Sequence, residues 1–165
     1  MSNSETVVTL TPAWLLELTP QCKVALGDGS VEEYIRDSKL YSIPSAVEHC
    51  NELLMWRERL VPVIDFNVVF GEQGLSNEHI IVLAYQEYSG QSPQYVGVKL
   101  HNEVQRITVN DSSACDWPAE YPLQIQPLVE SLFISDDELI SVINVSDLCN
   151  EGYRDYLKQL NLSNI

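Results

Sequence analysis

Two aspartates in this 165-residue chain, Asp65 in "RLVPVIDFNVVF" and Asp147 in "LISVINVSDL", each follow a β-branched run. A carboxylate at a strand end can serve as a general base or a metal ligand when it is desolvated beside a partner. The commoner role of such a residue is to cap a turn. The partners a reaction would need are dispersed: His49, His79 and His101 lie in three segments, and Cys22, Cys50, Cys115 and Cys149 form no CxxC pair. His49 and the adjacent Cys50 would crowd or point apart as ligands of one ion, and neither a zinc knuckle nor a disulfide framework is suggested. Gly27 and Gly29 form a GxG without the third glycine of a dinucleotide loop. Asp136, Asp137 and Glu138 lack the alternating oxygen ligands and glycine of a calcium loop and read as a solvated hairpin turn. These residues predict no metal, no cofactor and no enzyme. The alternative left open is a small enzyme using Asp65 with a spatially adjacent His or Cys.

The other dense polar spot is "RER", Arg57, Glu58 and Arg59, beside Met55 and Trp56. A charge cluster is usually a solvated turn, but arginine beside an exposed Trp and Met is also the composition of an interface anchor.

The elements that must position these residues are mostly strands. "AWLLEL" and "CKVALGDGSVEEYI" read as two strands, a turn and a third extended piece. In "SIPSAVEHCNELLMW", Ala46, Val47, Cys50, Leu53 and Leu54 fall near a helical stripe that Ser42 or Ser45 can cap, which predicts a short helix. "RLVPVIDFNVVF" returns to β composition, with Pro62 demoting it toward an edge or bulge. "IIVLAYQEY" and a long "YVGVKLHNEVQRITV" follow as strands, then a proline-interrupted loop, a hairpin around "DDE", and a closing helix with Tyr153, Tyr156, Leu157 and Leu160 on one face. No fixed-period repeat stands out. The pattern predicts a mainly β architecture in one domain, residues 1–165, with two lobes meeting softly near 71–79.

Composition narrows the partners. Nine Lys and Arg against 24 Asp and Glu give a formal charge of −15, which repels phosphate backbones and anionic lipid. Nucleic acid is therefore excluded as a partner. The N-terminus has no basic region leading into an apolar block and no stretch approaches the ~20 apolar residues of a membrane span, so no membrane insertion is expected and a cytoplasmic location is.

The stretch "SIPSAVEHCNELLMWRERLVPVIDFNVVFG" resembles the segment that defines the CheW-like chemotaxis adaptor family. Arg57 falls on the family arginine and "LVPVIDF" on its strand; upstream, Val31 and Glu33 fall on its valine and acidic positions. "IIVLAYQ", "YVGVKL" and "DDELISVINVSDL" resemble the remaining strands in order, so the likeness covers about residues 13 to 150. The resemblance implies two packed five-stranded SH3-like β-barrels over a shared core. It also implies a non-enzymatic adaptor that couples chemoreceptors, at their cytoplasmic tips, to a CheA-type histidine kinase. In that reading Arg57 orients a partner group, Val31 and Glu33 line a receptor groove, and Val61 and Val63 supply an apolar patch. The chain departs from the family at Glu58 and Glu52, where the family has glycines, and in "LHNEV". A regulator that binds only the kinase is the alternative within the family.

Overall fold

The computed structural model describes residues 9–163, so residues 1–8, on which part of the reading of the N-terminus rests, lie outside it. Eleven strands form two sheets. The strands are β1 Leu10–Thr19, β2 Cys22–Gly27, β3 Val31–Arg36, β4 Leu40–Ser42, β5 Glu52–Trp56, β6 Arg59–Ile64, β7 His79–Tyr85, β8 Gln94–Lys99, β9 Gln105–Asn110, β10 Val129–Ser135 and β11 Glu138–Ile143. Three helices join them: α1 Phe66–Val69, α2 Val145–Leu148 and α3 Glu151–Ser163. The mainly β expectation holds, and so does a C-terminal helix.

One sheet has the order β10-β11-β2-β1-β9, the other β3-β7-β8-β6-β5-β4. Read from the other end, the second sheet is the first with β4 added outside β5. In each, an antiparallel hairpin (β10–β11 or β5–β6) joins a second hairpin through a parallel pairing, β11 on β2 and β6 on β8. The count is thus five strands in one sheet and six in the other, not five in each.

Alternation gives each strand two faces, and the faces that are buried form three cores. Leu54, Trp56, Val61, Val63, Ile80 and Val82 fill the concave side of the six-stranded sheet, and Ala13, Leu15, Ala25, Phe133 and Ile140 that of the five-stranded one. The opposite faces of β1, β2, β7 and β8 meet in the largest core, where Leu16, Val24, Leu26, Ile81, Leu83 and Val98 pack with Phe66, Val145 and the helix residues Tyr153 and Leu157. The predicted face of α3 is the one that docks.

Four local expectations fail. The helix predicted within 42–56 is a single 3-10 turn at Glu48–Cys50 followed by β5, because pairing with both β4 and β6 rewards a period of two in Leu53 to Trp56. The short helix between strands lies later, at α1. Pro62 is inside the sheet, tolerated because the ladder from β6 to β8 involves only Val63 and Ile64, just beyond it. "YVGVKLHNEVQRITV" is not one strand: β8 and β9 belong to different sheets. That break also moves the lobe division. The chain crosses between sheets after β2 and after β8, whereas residues 71–79 connect α1 to β7 on the same side as β6.

A repeat hidden in the sequence explains the symmetry. Residues 53–69 match those 79 positions later without a gap: Leu53 with Leu132, Leu60 with Leu139, Val63 with Val142, Ile64 with Ile143, and Asp65 with Asn144. The strand registers agree, Met55 opposite Leu60 corresponding to Ile134 opposite Leu139. One such pair of units, separated by unrelated sequence, carries no periodic signal.

Candidate functional site

Arg57 and Glu58 are the two residues of the β5–β6 turn, with φ of 47° and 63°. Positive φ at both positions is the type I′ form of a two-residue hairpin loop, whose twist matches that of the strands. Neither side chain suits that region, and Glu58 stands where the family glycine would relieve the strain of roughly 1 kcal/mol.

The turn is held by aromatic and ionic contacts. The Arg57 guanidinium lies 4.4 Å from the centroid of the Trp56 ring, which in turn packs against Tyr95 at 4.9 Å. Arg57 Nη2 donates to Glu33 Oε1 at 3.5 Å, and Nη1 lies 3.9 Å from Glu32 Oε2. These contacts clasp the hairpin to β3, the far edge of the same sheet. Val31 opens that strand and is half-buried against the shared core. Arg57, Glu33 and Glu58 are exposed, and exposed ion pairs contribute only ~0–1 kcal/mol, so a partner group can replace either side of the clasp.

The structure therefore brings Val31, Glu33, Arg57 and Glu58 to one end of the molecule but removes Val61 and Val63. Both valines are buried in the core of the six-stranded sheet, 1% and 2% exposed, and cannot form a surface patch. Trp56, expected outside, is 4% exposed, while Met55 is outside as expected. The apolar residues that do face solvent are one position away, Leu60 and Met55, with Leu53 and Pro62 half-buried beside them. Strand alternation on an assigned β5 would have found them; the helical reading of that stretch concealed them.

Asp65 is a cap in an ion network. Its Oδ1 accepts from Asn67 N at 3.0 Å and its Oδ2 from Leu75 N at 2.8 Å, starting α1 and anchoring the segment before β7. Lys99, buried, lies 4.0 Å from Asp65 and donates to Glu52 Oε1 at 2.6 Å and to Leu75 O at 3.3 Å. Glu52, the second departure from the family glycines, thus supplies the closest counter-charge of a buried lysine. Among the described residues no His or Cys side chain is hydrogen-bonded to Asp65. His79 shares a hydrogen bond with Tyr34, and His49 lines a groove of about 880 Å³ with Phe70, Leu157 and Lys158 that Asp65 does not reach. Burial, then nearby Arg154, makes His49 harder to protonate than an ordinary histidine. Burial pushes the Cys22 thiol up to about 12 and Cys149 up to about 11, far from the thiolate a nucleophile requires. No group of three or more His, Cys, Asp or Glu among the described residues is placed to hold a metal ion, and no helix among them is long and apolar enough to cross a membrane.

No curated protein matches the chain. In three dimensions it is similar to the crystal structure of the scaffolding protein TtCheW from Thermoanaerobacter tengcongensis, with a TM-score of 0.65 at 23% identity over 82% of this chain and 90% of that one. At such an identity the likeness is one of fold. The family model for the CheW-like domain matches residues 15–152, from within β1 to the first turn of α3. With the two sheets, the clasped arginine turn and that match, the chain belongs to the CheW-like domain family.

Proposed function

We infer that the chain is a non-enzymatic, cytoplasmic adaptor that couples chemoreceptor tips to a CheA-type histidine kinase, each sheet closing as an SH3-like barrel. The observation that carries this is the Arg57 turn: a strained hairpin tip whose guanidinium is oriented by Trp56 and held by a replaceable pair with Glu33. A positioned, exposed arginine on a rigid aromatic base is built to engage a carboxylate or carbonyl on another protein. Val31 and Glu33 line the receptor side of that contact.

A kinase-only regulator is the second reading, favoured by Glu58 in the turn and by Arg57 and Glu33 occupying each other. Titrating the purified chain by calorimetry, separately, with a kinase barrel domain and with a receptor tip fragment distinguishes the two. Binding to both supports the adaptor; binding to the kinase alone supports the regulator; binding to neither defeats both.

A further inference from the structure

We propose that the groove between α3 and the segments 47–49, 68–71 and 121–124 is a binding site for a small amphiphilic carboxylate, a medium-chain aliphatic acid whose carboxyl group is held by Arg154 and Lys158. The proposal is independent of the adaptor reading. The 3-10 turn at Glu48–Cys50 precedes β5 and α1 follows β6, so the groove lies at the open end of that hairpin and Arg57 in the turn at its closed end.

Charge singles this groove out. Of the nine Lys and Arg, five pair with carboxylates, and Lys39 and Arg59 rest on tyrosine rings. Arg154 and Lys158 have neither kind of partner among the described residues. Both are exposed on the groove wall, one helical turn apart on α3. Like charges at that spacing destabilise a helix, and an anion set between them reverses the effect. The half-buried His49 ring makes no hydrogen bond among the described residues and lies near enough to Arg154 for that charge to oppose its protonation. Its neutral ring has one N–H to offer the same carboxylate. Glu48 is the single carboxylate on the lining, which steers an anion toward the α3 side.

The rest of the lining suits an acyl chain. Val69, Phe70 and Leu160 pack against the core beneath it, and Val47 and Leu123 stand at the rim, 43% and 55% exposed. From Arg154 to Asn161 the α3 wall runs roughly 10 Å, the reach of an extended medium-chain acid. The walls are fixed in advance. The Tyr153 and Tyr156 hydroxyls donate to Gln124 O at 2.7 Å and Leu123 O at 2.8 Å, tying the loop to α3. Asp65 N donates to His49 O at 2.8 Å, tying the 3-10 turn to the start of α1. A pre-formed cavity of about 880 Å³, largely apolar with a few convergent polar groups, has the character of a small-molecule site. Four segments enclose it, which favours a small occupant over the broad contact a protein partner makes.

Titrating the full chain with sodium octanoate below its micelle concentration, followed by calorimetry and by amide shifts of isotope-labelled protein, tests this. Binding should saturate at one equivalent with a Kd below about 1 mM, with shifts centred on 47–49, 121–124 and α3. 1-Octanol and acetate each carry half of the chemistry and should bind more weakly by about tenfold or more. The double variant Arg154→Gln with Lys158→Gln, and separately Leu123→Glu, all at exposed positions, should each weaken octanoate about tenfold while melting as the wild type does. An octanoate response that is absent, unsaturable or centred elsewhere, octanol binding as tightly as octanoate, or unchanged affinity in the variants overturns the proposal.

Discussion

The β5–β6–α1 and β10–β11–α2 units share length, register and turn type, yet the first caps its helix with a charged Asp65 and the second with a neutral Asn144. Asn144 Oδ1 accepts from Ser146 N at 2.9 Å and its amide donates to Glu130 at 3.0 Å, so no cation is needed beside it. Asp65 is buried and stands with Lys99 and Glu52. The parallel registers place Lys99 where the other unit has Gly27. Two solutions to the same local demand thus differ in electrostatic risk: one is a self-contained hydrogen-bonded cap, the other holds only while three charges stay together.

The largest effect is expected from removing the lysine. Lys99→Met leaves Asp65 and Glu52 without their cation and should lower stability in urea unfolding by about 3 kcal/mol, part of which Asp65→Asn restores. Loss below 1 kcal/mol would make the network incidental. Next comes Val63→Ala, which opens a cavity in a fully buried site and should cost about 2 kcal/mol; Val142→Ala, at the half-buried matching position, should cost less. Partner binding per folded molecule should be unchanged by Val63→Ala, since that side chain never reaches the surface.

At the turns a gain in stability is expected instead. Both use non-glycine residues at positive φ, Arg57 and Glu58 in one and Asp136 and Asp137, at 51° and 63°, in the other. Aspartate tolerates this region better than glutamate. Glu58→Gly should therefore stabilise by about 1 kcal/mol and Asp137→Gly by less, in matched thermal melts. The smallest effect separates the helix ends, where Cys149 stands at the position of Phe70. Its thiol, raised by burial to about 11, keeps its proton in the folded state while the unfolded thiol ionises above roughly pH 8.5. The unfolded state then binds fewer protons, so the contribution is full below that pH and falls as pH rises. By pH 9 the loss should be under about 1 kcal/mol, absent in Cys149→Ser.

Strand identity was legible wherever a period of two or a β-branched run met a turn signal, as in "IIVLAYQ" and "YVGVKL". It failed where tertiary pairing decided: the stretch from Ala46 to Leu54 has a helical stripe but gains more by pairing with β4 and β6. The exchange of strands between sheets was illegible for the same reason, because nothing local records that β2 will pair with β11 rather than β3. Arg57 and Glu33 were found through their resemblance to the family, and their contact is what the fold adds. Val61 and Val63 were misplaced by one step of alternation, the difference between a core and a surface.

Arg57 is proposed above as a docking residue on a stable scaffold. Calorimetric titration of wild type and Arg57→Ala against the kinase barrel domain and the receptor tip, with melting curves on the same samples, tests it most directly. Affinity for at least one partner should fall about tenfold or more, with the melting temperature shifted by less than about 4 °C, since only an exposed clasp is lost. Unchanged affinity for both partners, or a loss of binding matched by an equal loss of stability, would contradict it and make Arg57 a structural residue of the hairpin.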